Sequence, residues 1–185
     1  KRRDYKKIVD GRNPIIQHEY MGAKVAGKDI LIVDDMIASG GSVFDIAREL
    51  KKNDLQFIYH NHNFEFTKFD DKIGYQILLD ETDPAVDFEI DTYWVQAGGG
   101  DPVQWIKKMD NRIKVIHFKD MVVNQDREQI MAEVGEGNLN WSGIIEACRE
   151  TGVEWCAVEQ DTCQRNPFTS MEISLNNLKE MGVKA

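Results

Sequence analysis

The chain has 185 residues, of which 42% are apolar and 30% are charged, and its formal net charge is −9. A complete eight-stranded βα barrel needs about 250 residues, so the length excludes one and leaves room for one large domain. The composition excludes disordered, collagen-like and disulfide-rich chains, and the negative charge argues against nucleic-acid binding, which needs clustered basic residues. No uncharged run approaches the ~20 apolar residues that cross a bilayer, so we expect a soluble protein with no membrane partner.

The N-terminal segment is the basic part of the chain. Residues 1–28 carry eight Lys or Arg against three Asp or Glu. The scattered glycines and prolines of residues 1–27 predict a basic loop with a short extension. From residue 28 onward, β-rich runs alternate with amphipathic helical runs, which is typical of βα units in a parallel sheet. We therefore predict an α/β fold.

Five strands and five helices are predicted in the α/β segment. The strands cover residues 29–34, 56–60, 87–91, 114–118 and 154–159. The helices cover residues 41–52, 73–79, 102–109, 141–151 and 170–181. Asp101 and Asn140 are expected to be N-caps, and Gly152 and Gly182 are expected to be left-handed C-caps.

The first predicted βα unit contains a candidate phosphate site. Two carboxylates end its strand, and a Ser-Gly-Gly-Ser loop opens its helix. Backbone N–H groups at a helix N-terminus can hold a phosphate, and serine hydroxyls add donors. Residues 30–42 resemble the phosphoribosyl pyrophosphate (PRPP) motif of type I phosphoribosyltransferases and of ribose-phosphate pyrophosphokinase, and the resemblance extends over residues 1–52. It implies a phosphate- and ribose-binding set made of Asp34, Asp35, Ser39, Gly40, Gly41 and Ser42.

Polar residues recur at the C-terminal ends of the four later strands. They lie in residues 59–66, 89–94, 116–120 and 158–161. Active sites of parallel α/β sheets and barrels form at this edge. Carboxylates and an imidazole delivered by different strands suit an oxygen-preferring cation such as Mn²⁺ or Mg²⁺.

Together with the glycine-rich residues 133–138, these segments resemble the sugar phosphate isomerase/epimerase family of xylose isomerase-like TIM barrels. The resemblance covers about residues 52–185. It implies an Mn²⁺ or Mg²⁺ cofactor held by Glu65, Asp91, His117 and Glu159. It also implies substrate contacts from His60, His62, Trp94 and Lys119.

The same resemblance implies a mechanism acting on a small sugar or sugar phosphate. The substrate would chelate the ion through adjacent oxygens, and the ion would polarise the carbonyl and stabilise the enediolate. Glu65 and Glu159 would be the catalytic residues, exchanging the proton next to the carbonyl from opposite faces. Ordinary packing is the alternative for His60 and His62, and a solvated charge is the alternative for Lys119.

The matching segment supplies only the last four strands of an eight-stranded barrel. We therefore predict half of a TIM-type barrel over residues 53–185, preceded by one phosphoribosyltransferase-like unit over residues 1–52, both packed as one domain. Its open sheet edges favour a homo-oligomer that completes the barrel.

Three hypotheses about function follow. The chain is a metal-dependent sugar isomerase or epimerase, a PRPP-binding or ribose-phosphate-binding module, or a natural or engineered chimera without activity. Cys148, Cys156 and Cys163 form no CxxC motif, so we interpret them as reduced packing residues of a cytoplasmic protein.

Overall fold

The computed structural model describes residues 2–5, 15–19, 50, 52 and 55–184. The chain divides into two compact units, Lys1–Phe57 and Ile58–Ala185. In the first unit, β1 (Arg2–Tyr5) and β2 (Ile15–Glu19) pair in the antiparallel direction. The prediction of a loop over residues 1–27 is therefore wrong for these two segments, because strand pairing depends on neighbouring segments more than on local periodicity.

The remaining strands and helices follow in chain order. The strands are β3 (Phe57–His60), β4 (Lys68–Phe69), β5 (Lys72–Ile73), β6 (Val86–Asp91), β7 (Ile113–Phe118), β8 (Asp120–Val123), β9 (Gln129–Ala132) and β10 (Trp155–Val158). The helices are α1 (Gly74–Glu81), α2 (Thr92–Ala97), α3 (Pro102–Lys108), α4 (Trp141–Glu150) and α5 (Pro167–Glu180). None of the helices in the described ranges has the length and apolar character of a membrane span.

A four-stranded sheet with the order β10-β7-β6-β3 organises the second unit. β7 runs parallel to both β6 and β10. The strands predicted over residues 56–60, 87–91, 114–118 and 154–159 correspond to these four strands within one residue at each end. The predicted α/β architecture with a parallel sheet is therefore confirmed for this part of the chain.

The two faces of the sheet have opposite chemical character. Alternate residues of a strand point to opposite faces. One face packs against the helices in a buried core that includes Tyr75, Phe88, Ile90, Ile106, Ile116, Phe118 and Ile144. Burying each large apolar side chain contributes roughly 1.5–3 kcal/mol. Glu89, Asp91 and His117 alternate with these core residues and therefore occupy the other face.

Helix caps follow the sequence signals, with one exception. Asp101 accepts hydrogen bonds from Val103 N and Gln104 N, and Asn140 accepts one from Gly143 N. Gly182 has the left-handed φ of 79° expected of a C-cap. The same prediction is wrong for Gly152, because α4 ends on an extended Thr151 whose hydroxyl donates to Ala147 O.

A hairpin of β8 and β9 follows β7 directly and was not predicted. The buried carboxylate of Asp120, at its start, accepts from four backbone N–H groups and from Trp141 Nε1. The loop approaches so closely that a Cβ built on Gly137 would lie 2.3 Å from Asp120 Oδ1. This carboxylate therefore fixes the glycine-rich loop of residues 133–138 against the end of the sheet.

Large apolar side chains are exposed on α5 and on β10, which lies at one end of the described sheet. Trp155 on this strand is 72% exposed, and Phe168 on α5 is 81% exposed. Among the described strands, β7 is the ladder partner of β10. Assembly of a second copy at this edge stays a prediction.

Candidate metal centre

Three of the four predicted ligands converge at the C-terminal ends of neighbouring strands. Asp91 ends β6, His117 lies on β7 and pairs with Asp91 in the ladder, and Glu159 follows β10. His117 Nδ1 is 3.8 Å from Asp91 Oδ2 and 3.7 Å from Glu159 Oε2. The three ligand atoms all lie within 4.8 Å of one another.

The two carboxylate oxygens of Asp91 have different roles. Oδ1 accepts from Trp94 N at 3.0 Å and caps α2. Oδ2 is buried without a hydrogen-bond partner, and so is His117 Nδ1. Buried polar atoms normally have a hydrogen-bond partner, and here two atoms without one lie close to Glu159. This set of oxygen and imidazole donors therefore fits a divalent cation.

Glu65, the fourth predicted ligand, lies outside this group. It sits on a 3₁₀ turn (Phe64–Phe66) beyond β3 and is 4% exposed. One oxygen accepts from the Tyr59 hydroxyl at 2.8 Å, and the other accepts from His62 N at 2.9 Å. Its carboxylate thus holds the end of β3, and its metal-binding and catalytic roles stay predictions from the resemblance.

Glu89 is a site residue that the sequence analysis missed. Its Oε1 is 3.0 Å from His117 Nε2, and its Oε2 is 3.4 Å from His60 Nδ1. Although burial acts against ionisation, the two imidazoles hold the pKa of Glu89 at about 2. The sequence could have indicated Glu89, because it lies two positions before Asp91 on the same strand and therefore shares its face.

Glu89 also influences which ring nitrogen of His117 can bind a cation. Burial alone would lower the pKa of His117, but Asp91 and Glu89 raise it to about 9. By accepting from Nε2–H, Glu89 leaves Nδ1 directed at Asp91 and Glu159, as carboxylates commonly do for metal-binding histidines. His60, Glu89 and His117 Nε2 form a second compact donor group.

Lys119 is enclosed by carboxylates. Its side chain is 1% exposed, and Nζ is 2.5 Å from Glu159 Oε2, 2.5 Å from Asp161 Oδ2 and 3.5 Å from Asp91 Oδ2. These carboxylates outweigh the effect of burial and raise the pKa of Lys119, so it stays a cation. The burial of Lys119 excludes the alternative that it is a solvated charge. Asp161, which was not predicted as a site residue, belongs to the site through its ion pair with Lys119.

The other predicted substrate residues form an aromatic wall beside the donors. The His60 ring centroid lies 4.8 Å from that of His117 and 4.9 Å from that of His62. The His62 ring is 5.4 Å from Trp94 and stacks on the exposed Phe64. Burial and the neighbouring His60 lower the pKa of His62, which favours its neutral form.

Two buried polar residues hold the strand ends in register. Asn61 Oδ1 accepts from Asp91 N and from the Tyr75 hydroxyl, both at 3.0 Å. Thr92 Oγ1 accepts from Lys119 N at 3.0 Å and is 2.8 Å from Lys119 O. The Asn61–Asp91 and Thr92–Lys119 hydrogen bonds join the ends of neighbouring strands next to the metal donors, so they set the spacing of the site.

The predicted phosphate and ribose site falls on residues that lie outside the described part of the chain. These residues are Asp34, Asp35, Ser39, Gly40, Gly41 and Ser42. Their phosphate-binding role therefore stays a prediction.

Comparison with known families supports the second of the two resemblances. The sequence profile of the xylose isomerase-like TIM barrel family matches residues 37–181. This match includes residues 37–52, which were assigned to a pyrophosphokinase-like segment. The comparisons give no support for that segment or for a chimera, so both stay predictions.

Individual relatives agree with the family match. Inosose dehydratase of Lacticaseibacillus casei is 32% identical over 142 residues, which cover 67% of this chain and 46% of that protein. Inosose dehydratase of Clostridium tetani is 26% identical over 136 residues, which cover 64% of this chain and 45% of that protein. The chain thus spans about half the length of these curated relatives.

A solved structure shows the same fold. The crystal structure of a sugar phosphate isomerase/epimerase from Parabacteroides distasonis superposes with a TM-score of 0.63 at 27% identity. The superposition covers 75% of this chain and 52% of that one. The four-stranded sheet therefore corresponds to part of a barrel.

Proposed function

Because this chain belongs to the xylose isomerase-like TIM barrel family, we propose that it carries the metal-binding half of a sugar-transforming enzyme. The proposed reaction begins by moving a proton from the carbon next to the carbonyl of a small polyhydroxylated substrate. Returning the proton at another position gives an isomerase or epimerase. This function agrees with the hypothesis drawn from the resemblance over residues 52–185.

One observation carries the proposal. Asp91 Oδ2 and His117 Nδ1 are buried, have no hydrogen-bond partner and lie within 4.8 Å of each other and of a Glu159 oxygen. When bound there, a divalent cation polarises the substrate carbonyl and makes the neighbouring proton more acidic. Asp91, His117 and Glu159 would hold it, with Mn²⁺ or Mg²⁺ preferred by the oxygen donors.

Glu159 is the proposed proton-carrying residue. Burial and the adjacent Asp161 raise the pKa of its carboxyl group, although Lys119 opposes them. A raised pKa makes a carboxylate a better general base. Lys119 positions Glu159 through the 2.5 Å contact between Nζ and Oε2, while His60, His62 and Trp94 contact the substrate's hydroxyl groups and ring.

Dehydration is a second candidate outcome, favoured by the 32% identity to an inosose dehydratase. Loss of the proton next to a carbonyl can be followed by loss of hydroxide from the next carbon. The proton-removing residue is the same in both reactions. The two outcomes differ only in whether the product has lost a water molecule.

Hydrogen exchange with solvent tests the proposed function. The protein is incubated with Mn²⁺ and a panel of ketoses and inososes in D₂O, and deuterium next to the carbonyl is measured by NMR. We expect incorporation by the unmodified protein and its loss in Glu159→Gln. Mass spectrometry distinguishes dehydration by the loss of water. Equal incorporation by both proteins, or none by either, would contradict the proposal.

Metal binding is expected to weaken as the pH falls. The pKa of His117 is about 9, so at neutral pH a cation must displace a proton from Nδ1. We expect Mn²⁺ affinity to fall by up to about tenfold for each pH unit below this value, as measured by isothermal titration calorimetry. In Glu89→Gln, one of the two carboxylates that raise the pKa is neutral, so the fall should begin at lower pH. An affinity independent of pH in this range would contradict proton displacement.

A further inference from the structure

Two of the three cysteines line the same cavity, although one lies on a helix and the other on a strand. Cys148 is on the last turns of α4 and is 8% exposed, whereas Cys156 is on the edge strand β10 and is exposed. Both line one cavity of about 500 Å³. Within that cavity the two thiols are close enough to influence each other's ionisation. The proximity was invisible in the sequence because no CxxC motif links them.

The two thiols are unequal. The neighbouring Cys148 lowers the pKa of Cys156, while the neighbouring Cys156 and burial raise the pKa of Cys148. The thiolate is the nucleophilic form of cysteine. Cys156 is thus suited to be the nucleophile that attacks a disulfide, and Cys148 is suited to be the second thiol, which resolves the mixed disulfide.

Two of the side chains that line the cavity are cationic. Arg149 and Lys184 line it together with the two thiols. Arg149 Nη2 is 3.4 Å from Gly182 O, which holds the guanidinium at the rim. Arg149 Nη1 is also 3.5 Å from Glu146 Oε2, on the outer side of the same helix. Because the two charged side chains that line the cavity are both cationic, anionic ligands are favoured over cationic ones.

We propose that Cys148 and Cys156 form a dithiol site that undergoes exchange with a small anionic disulfide of the glutathione disulfide type. The site is independent of the proposed metal centre. Arg149 and Lys184 bind the carboxylates of the ligand and bring its sulfur atoms to Cys156.

The exchange proceeds in two balanced steps. The Cys156 thiolate attacks one ligand sulfur, the ligand's S–S bond breaks, and one thiol leaves with a proton. Cys148, after losing its proton, attacks the Cys156 sulfur, breaks the mixed disulfide and releases the second thiol. Two electrons pass from the protein to the ligand, giving one Cys148–Cys156 disulfide and two free thiols.

Intact-mass spectrometry tests the proposal on the full reduced chain treated with glutathione disulfide. We expect the unmodified protein to lose two hydrogen atoms without retaining glutathione. Cys148→Ser should stop at a glutathione adduct on Cys156, since the second thiol is gone. Cys163→Ser is the matched control and should behave like the unmodified protein.

Two further measurements keep the proposal open to refutation if Cys148→Ser fails to fold. Peptide mapping of the unmodified protein should yield a linked pair of peptides containing Cys148 and Cys156. Arg149→Gln should slow exchange with glutathione disulfide at least threefold while leaving exchange with the uncharged hydroxyethyl disulfide unchanged. A lasting glutathione adduct on the unmodified protein, or equal slowing with both disulfides, would overturn it.

Discussion

Replacing Asp120 with alanine is expected to destabilise the protein by about 3–5 kcal/mol. The Asp120 carboxylate accepts hydrogen bonds from Met121 N, Gly135 N, Gly137 N, Leu139 N and Trp141 Nε1. Without it, several buried donors lose their partner at the point where the β8–β9 hairpin meets the glycine-rich loop. Urea unfolding followed by tryptophan fluorescence measures the loss.

Asp120→Asn is expected to destabilise as well, because either orientation of the amide places its NH₂ group against N–H donors. The control is Asp126→Ala, since Asp126 lies exposed in a turn of the hairpin. That change should stay within about 0.5 kcal/mol of the unmodified protein. Equal unfolding midpoints for Asp120→Ala and Asp126→Ala would show that the Asp120 carboxylate does not stabilise the fold.

Asp91→Asn is expected to lower Mn²⁺ affinity by at least roughly 100-fold and to abolish turnover. The substitution keeps the shape of the side chain, and its amide oxygen can still accept from Trp94 N as the α2 cap. It removes the negative charge and replaces Oδ2, which lies 3.8 Å from His117 Nδ1 and 3.5 Å from Lys119 Nζ, with an amide nitrogen. Metal affinity is measured by isothermal titration calorimetry, and circular dichroism verifies the fold.

The matched control is Asp101→Asn. Asp101 also caps a helix through its side chain, accepting from Val103 N and Gln104 N at the start of α3. It lies outside both donor groups that the described residues form. Asp101→Asn should bind Mn²⁺ as the unmodified protein does. Equal affinities for all three proteins would remove Asp91 from the metal centre.

The sequence predicted the four-stranded sheet because strong local patterns decide it. Val86–Asp91, for example, alternates apolar with acidic residues, which is the period of a strand with one buried face. Caps such as Asp101 depend on neighbouring residues only. The positions of Asp91, His117 and Glu159 at one edge then follow from the parallel direction of the strands. The order of strands and helices was enough to place these three residues at the same edge of the sheet.

The rest of the site depends on where the chain leaves each strand. The resemblance implied that Glu65, just beyond the strand predicted over residues 56–60, is a metal ligand. A 3₁₀ turn after β3 instead directs its carboxylate towards Tyr59. The sequence did not indicate the role of Asp120, because its partners in the glycine-rich loop and at the start of α4 lie up to 21 residues away. Long-range hydrogen bonds of this kind leave no local signal in the sequence.

The most direct test of the metal centre is diffraction from Mn²⁺-soaked crystals at the manganese absorption edge. We expect one anomalous peak coordinated by Asp91 Oδ2, His117 Nδ1 and a Glu159 oxygen. We also expect this peak to disappear in Asp91→Asn. A peak on the opposite side of the imidazole, bound by His60, Glu89 and His117 Nε2, or no peak near His117, would contradict it.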